Sequence, residues 1–245
     1  MLRIGVIGYG YWGPNIVRNF SAASGSEVGM VCDMNQQTLK KVQNVYPQID
    51  VTTCVDELIN SPEIDAVAIA TPVFTHHEFA KKSLNAGKSV FIEKPFTYTV
   101  AEAEELVDLA AQKNLKMMVD HTFLYTGSVR KIRQLIDDDI LGKIYYFDSS
   151  RVNLGLFQHD VNVVWDLAPH DISIMDYIID DKPQAVVATG AGHFGRGLED
   201  IAYLTFYFAN NIIAHINVNW LSPVKVRTTL IGGEKKMLVW NDIEP

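Results

Sequence analysis

The stretch MLRIGVIGYGYWGPN (1–15), followed by EVGMVCD (27–33), decides the fold. RIGVIG (3–8) is an apolar run without polar alternation, the mark of a strand buried on both faces. Gly8-Tyr9-Gly10-Tyr11-Trp12-Gly13 is a G-x-G-x-x-G turn, and Gly13-Pro14 opens a helical pattern over 13–23. The motif gains meaning from standing between a strand and a helix. Gly8 permits a tight turn, Gly10 lets backbone approach a pyrophosphate, and Gly13 lets the helix pack close on the strand. The helix N-terminus adds free N–H groups and a positive dipole end. Twenty residues beyond Gly13, the second strand ends on Asp33. A carboxylate there accepts hydrogen bonds from an adenosine ribose 2′-OH and repels a 2′-phosphate, and Met34 and Asn35 follow with no arginine. The reading is a dinucleotide site that favours NAD over NADP, with Gly8, Tyr9, Gly10, Trp12, Gly13 and Asp33 as cofactor-binding residues.

Strands at 50–56, 65–71, 89–95 and 116–122 alternate with helical segments at 35–46, 56–60, 75–86 and 99–113. Apolar strands interleaved with helices argue for a doubly wound parallel sheet with right-handed crossovers over residues 1–122. The remainder, 123–245, changes character. Helices are expected near 126–138 and at 166–179, and long strands at 143–153, 185–194, 200–210, 211–221, 226–233 and 235–242, with turn signals at Asn210-Asn211 and Gly232-Gly233. That is an α+β domain with an open, mostly antiparallel sheet. The paired aromatics Tyr145-Tyr146-Phe147 and Phe206-Tyr207-Phe208 alternate along strands, as core or subunit-interface residues do.

The chain's 245 residues are 48% hydrophobic and 20% charged, which excludes a disordered or low-complexity class. With 29 acidic against 21 basic residues the net charge is −8, the wrong sign for a nucleic-acid binder. Two cysteines, Cys32 and Cys54, are too few for a disulfide scaffold, follow no metal-ligand spacing, and are expected as buried thiols. No stretch approaches a membrane span, and the glycines of the first ten residues interrupt any signal-peptide core. The expectation is a cytoplasmic protein with no metal and no membrane partner.

ATPVFTHH (70–77) and IEKPF (92–96) end the fourth and fifth strands at the carboxyl edge, where open α/β sheets bind ligands. Lys94 at that edge points toward the crevice, with Pro95 stiffening the turn. In the second half, Asp166 and His170 lie four apart and share a helix face. A carboxylate and an imidazole so placed can grip a polyol and move a proton. The polar Gln158, His159, Asp160 and Asn162 just before them favour a hydroxylated substrate.

GVIGYGYWG, ATPVFTH, AGKSVFIEKPF and the D-x-x-x-H of WDLAPHD, in this order, resemble the Gfo/Idh/MocA oxidoreductases over essentially the whole chain. EKP after the fifth strand is the most specific element. The resemblance implies a Rossmann domain followed by an open-sheet domain, a nicotinamide cofactor, and a sugar, nucleotide-sugar or polyol substrate. It also implies a homo-oligomer built through the second sheet. By position, Lys94 matches the family's catalytic lysine, Asp166 its substrate-binding acid and His170 its proton-transferring histidine. Thr71, Pro72 and His76 match a T-P-x-x-x-H near the cofactor, and Glu93 lines the same edge. NLGLFQHDVNVVWDLAPHDISI is similar to a subgroup associated with nucleotide-sugar and polysaccharide biosynthesis. The implied activity is hydride transfer between NAD and a secondary hydroxyl, with His170 as base and Lys94 at the reacting oxygen, or with these roles exchanged. A non-catalytic nucleotide-dependent sensor and a dihydrodiol-type reductase are the alternatives. Three departures stand out. Asn162-Val163-Val164 replaces a Gly-rich turn, and Thr122 and Leu124 stand near positions where many members have Asn and Arg. Members are also distinctly longer, which implies that the last sheet strands are missing after NDIEP (241–245) and that a sheet edge is exposed.

Overall fold

The computed structural model describes residues 1–155, 160–194 and 197–243. The apolar run that opens the chain is β1 (Leu2–Ile7), central in a six-stranded sheet with β2 (Ser26–Cys32), β3 (Asp50–Thr52), β4 (Ala66–Ile69), β5 (Ser89–Ile92) and β6 (Met117–Val119). The order is β3-β2-β1-β4-β5-β6 and every pair is parallel. Parallel neighbours need crossovers, which α1 (Gly13–Ala22), α2 (Gln36–Val45), α3 (Val55–Asn60), α4 (His76–Asn85) and α5 (Val100–Gln112) supply.

Alternate side chains on these strands enter two core layers. Ile4, Val6, Val28 and Val31 pack with Ile16, Val17, Leu39 and Val42 of α1 and α2. Ile7, Val67, Ile69 and Ile92 pack with Leu58, Ala80, Leu84 and Leu106 of α3 to α5. Burial on both faces explains why the strands read as continuous apolar runs. These elements form one compact unit, Met1–Asp120; the second is His121–Pro245.

The second unit holds α6 (Gly127–Asp137), α7 (Val163–Ile178) and a sheet of β7 (Ile144–Val152), β8 (Ala185–Ala191), β9 (Ile201–Tyr207), β10 (Ile213–Asn219), β11 (Val226–Gly233) and β12 (Met237–Asn241). Its order is β12-β11-β7-β10-β9-β8. Only the β10–β7 pair is parallel. Strict alternation sets the faces: Ala202, Leu204 and Phe206 on β9 and Ala214, Ile216 and Val218 on β10 are buried with Ala168, Ile174, Met175 and Ile178 of α7. The opposite face carries Tyr203, Tyr207, Ile213 and His215, with Tyr203 stacked on His215 at 6.1 Å between ring centroids. The edge strands β8 and β12 expose Val186, Val187, Met237 and Val239.

The structure departs from the sequence reading in three places. Cys32 is buried but Cys54 is exposed, because β3 ends at Thr52 and Cys54 caps α3 instead of continuing the strand. Gly232 lies within β11 rather than in the turn, while Gly233 ends the strand and closes the hairpin to β12, its N–H donating to the Lys236 oxygen at 3.0 Å. A Cβ at Gly232 would stand 2.0 Å from the Tyr146 ring, so its glycine serves cross-strand packing. The helix expected from residue 166 begins at Val163, capped by the Asn162 side chain, which accepts the Trp165 N–H at 3.0 Å.

Candidate active site

At the β1 end, Gly8 has φ +96°, and a Cβ there would lie 2.7 Å from the Ala70 carbonyl oxygen of β4's edge. A Cβ on Gly13 would lie 2.3 Å from the Gly8 oxygen, which is how closely α1 follows the strand. Gly10 differs: apart from its two chain neighbours, no atom of the described residues lies within 4 Å of its would-be Cβ. The first turn of α1 carries no acidic side chain and no side-chain cap, so its N–H groups keep their positive end. Asp33, at the tip of β2, accepts the Tyr9 N–H on Oδ2 and the Asn35 N–H on Oδ1, both at 2.8 Å. A carboxylate offers about four acceptor sites, so these bonds orient it and leave capacity for a ribose hydroxyl. Asn35 then caps α2 by accepting from the Gln37 and Thr38 N–H groups at 2.9 and 3.4 Å. Trp12 is 47% exposed and meets Tyr11 edge-on. The residues at this edge fit a dinucleotide.

The β4 and β5 ends are tied together. His76 is 1% exposed. Its Nε2 lies 2.8 Å from the Thr71 oxygen, and its Nδ1 lies 3.0 and 3.2 Å from the oxygens of Pro95 and Phe96. The histidine that sequence places beside the cofactor is therefore a buried brace holding two loops. Thr71 shares a hydrogen bond with Thr75 at 2.6 Å between hydroxyl oxygens, and Pro72 is exposed. Lys94 follows Glu93 at the carboxyl edge, and its peptide to Pro95 is cis. Glu93 is 6% exposed. Burial, then the neighbouring Asp120, push its carboxyl up to about 8, against the pull of Lys94. Asp120 was not singled out from sequence, although it ends its strand as Glu93 ends the one beside it.

In the second unit, Asp166 and His170 occupy successive turns of α7. The Trp220 indole N–H donates to Asp166 Oδ2 at 3.2 Å. The Trp220 backbone N–H donates to the Asp200 oxygen at 2.9 Å. The Asp200 carboxylate accepts the His193 backbone N–H at 2.7 Å and faces its Nδ1 at 2.8 Å. Burial raises the Asp200 carboxyl, but the His193 bonds outweigh it and hold the group below its ordinary range. The His170 ring meets Phe123 edge-on at 5.0 Å, and the Arg151 guanidinium lies 4.5 Å from the Phe123 centroid. Arg151 in turn grips Asp171 through Nε at 2.6 Å and a second nitrogen at 3.2 Å, while Ser149 donates to the same carboxylate at 2.8 Å. Sequence reasoning missed this brace, whose members are far apart in the chain. Asp160 and Asn162 are described, and Asn162 also donates to Glu199 at 2.8 Å. Gln158 and His159 lie outside the described residues. Among the described residues no group of three or more His, Cys, Asp or Glu could hold a metal ion, and no helix is long and apolar enough to cross a membrane.

A glycine turn on a parallel sheet of this order, with an acid at the second strand's tip, defines a dinucleotide-binding protein of the doubly wound class. The family description "Oxidoreductase family, NAD-binding Rossmann fold" matches residues 2–121, and the GFO/IDH/MocA C-terminal domain matches residues 129–239. The chain belongs to the Gfo/Idh/MocA oxidoreductases. It is 26% identical to an uncharacterized oxidoreductase of Streptococcus pneumoniae, over 87% of this chain and 61% of that protein. It is 31% identical to inositol 2-dehydrogenase of Azotobacter vinelandii, over 74% of this chain and 55% of that protein. The match thus spans about half to three fifths of these relatives' length. Among solved structures, UDP-N-acetylglucosamine 3-dehydrogenase of Acidithiobacillus ferrooxidans superposes with TM-score 0.87 at 25% identity, covering 98% of this chain and 74% of that one.

Proposed function

We propose that the chain transfers a hydride between NAD and a secondary hydroxyl of a sugar, nucleotide-sugar or polyol. The observation that carries this reading is the α7 face, where Asp166 is held by the Trp220 indole one turn before His170. Family membership and the inositol and UDP-sugar dehydrogenases among its relatives support the substrate class. Asp33 at the tip of β2 supports NAD over NADP, since a 2′-phosphate would meet a carboxylate.

NAD, when bound, supplies the hydride acceptor. Gly10 and the first turn of α1 would take its pyrophosphate and Asp33 its ribose. His170 takes the hydroxyl proton, since its ordinary pKa lies near neutrality. Lys94 donates to the reacting oxygen as negative charge builds there. Asp166 accepts from a substrate hydroxyl and fixes its orientation. Full turnover by His170→Ala beside a dead Lys94→Ala would reverse the assignment of base. We also infer self-association through the sheet face that carries Tyr203, Tyr207 and His215; a monomer throughout in sedimentation equilibrium would overturn it.

The test of the cofactor and substrate class is a thermal-shift screen with NAD and NADP, each combined with UDP-sugars, free sugars and inositols. A ligand that binds only the native state raises the melting temperature by mass action. NAD combined with a hydroxylated ligand should give the largest shift. A far larger shift with NADP would overturn the reading of Asp33.

A further inference from the structure

β5 and β6 are neighbours in parallel register, Ile92 against Val119, so Glu93 and Asp120 take the next position on the two strands. The Glu93 N–H donates to the Ile69 oxygen at 2.9 Å and the Asp120 N–H to the Ile92 oxygen at 2.8 Å. Both residues are thereby fixed at the sheet's carboxyl edge, Glu93 buried and Asp120 half-buried. Asp120 is the acidic neighbour that acts on the Glu93 carboxyl from the adjoining strand end. Ionised carboxylates only accept, so two neighbouring carboxyl groups bond to each other only by sharing a proton, and like charges on adjoining strand ends resist ionising together. Burial first, and then Asp120, push the Glu93 carboxyl up to about 8. Among the described residues, the charged or titratable groups near this edge include Lys94 on the same strand end, His76 of α4, whose Nδ1 faces the Pro95 oxygen, and His121, which follows Asp120 in the chain.

The strand order says which part of a dinucleotide comes here. The β1–β2–β3 half carries the glycine turn and Asp33, and so takes the adenosine side. The β4–β5–β6 half is left for the nicotinamide side. The oxidised nicotinamide ring carries a positive charge and the reduced ring carries none. A nearby positive charge favours the ionised form of a carboxyl group.

We propose that Glu93 and Asp120 hold one proton between them in the free protein and in its complex with the reduced cofactor, and release it to solvent when the oxidised cofactor binds. The pair thus senses the ring's charge and makes the preference between the two cofactor forms depend on pH. No bond to carbon changes and no electrons move in this step; one proton passes to solvent for each oxidised cofactor bound. The inference rests on the reading of NAD as cofactor and adds to it a role for the carboxyl pair.

The test is the dissociation constant of NAD⁺ and of NADH, measured by titration calorimetry from about pH 6 to about pH 9 in two buffers of different ionisation enthalpy. The two ligands share phosphates and sugars, so their ratio isolates the ring. Kd(NAD⁺)/Kd(NADH) should fall as pH rises toward about 8, by up to about tenfold per pH unit, and flatten above. The buffer dependence of the heats should show proton release with NAD⁺ and none with NADH. Glu93→Gln should make the ratio independent of pH, and Asp120→Asn should move its window to lower pH. Should Glu93→Gln fail to fold, the wild-type heats and Asp120→Asn still decide. Binding of both forms with a constant ratio would overturn the proposal and leave NAD as cofactor. A pH-dependent ratio unchanged in both variants would remove the pair from it. No binding of either form would overturn the cofactor reading and the proposal together.

Discussion

Arg151→Met is the substitution whose cost the structure defines best. Arg151 is 5% exposed and Asp171 1%, and the guanidinium bonds the carboxylate at 2.6 and 3.2 Å. Without Arg151, the Asp171 charge stays buried with the Ser149 hydroxyl as its partner in this network, at 2.8 Å. Removing one member of a buried ion pair costs about 3–5 kcal/mol. The lost stacking on Phe123, at 4.5 Å from guanidinium to ring centroid, adds up to about 2 kcal/mol. Against a total stability of about 5–15 kcal/mol, the loss is large. With a urea m value of about 2 kcal/mol/M, the unfolding midpoint of the second unit should fall by about 2 M. The assay is urea denaturation followed by tryptophan fluorescence, since Trp165, Trp220 and Trp240 all belong to that unit. Arg151→Met/Asp171→Leu removes the stranded charge and should recover most of the loss, so the double-mutant cycle should be strongly non-additive. A cost below about 1 kcal/mol for Arg151→Met, or a double variant as unstable as the two single losses added together, would refute this reasoning.

Gly10→Ala and Gly13→Ala should separate binding from folding. With open space around the Gly10 Cβ position beyond its chain neighbours, among the described residues, Gly10→Ala should melt like wild type yet lose the thermal shift given by NAD; Gly13→Ala, whose Cβ would lie 2.3 Å from a backbone oxygen, should lower the melting temperature itself. A disulfide-exchange reagent should titrate Cys54 in the native protein and reach Cys32 only on unfolding, because burial pushes the Cys32 thiol up to about 11. Glu93 is raised in the folded state from 4.5 to about 8, so the stability it lends is full below about pH 4.5 and is lost as pH rises through about 8. Thermal unfolding should therefore show Glu93→Gln gaining on wild type across that interval, and a constant difference would contradict the raised value.

The first unit was legible almost strand by strand, and the reason is physical. A parallel strand buried on both faces is a short unbroken apolar run, and RIGVIG and AVAIA need no tertiary information to be recognised. The second sheet was legible for the opposite reason, because one covered face imposes the alternation seen in IAYLTFY and IAHINVN. Other features depended on contacts distant in sequence. Val163 and Val164 are β-branched and disguised the start of α7, although the cap at Asn162 was readable. Gly232 looks like part of the turn that Gly233 closes until the Tyr146 ring is placed across it. His76 matched a cofactor motif, and only the carbonyls of Thr71, Pro95 and Phe96 around its ring show it to be a brace. Asp120 and Arg151 gained significance from partners 27 and 20 residues away. Residues carried by local motifs were therefore easier to find than residues whose partners lie far along the chain.

The most direct test of the central claim is turnover, followed by the near-ultraviolet absorbance of NADH. NAD and each of a set of inositols, free sugars and UDP-sugars would be supplied to wild type, Lys94→Ala and His170→Ala. The account predicts reduction of NAD by at least one of these hydroxylated substrates and its loss in both variants. NAD that binds wild type tightly yet is never reduced by any of them would contradict it and leave a nucleotide-binding protein without dehydrogenase chemistry.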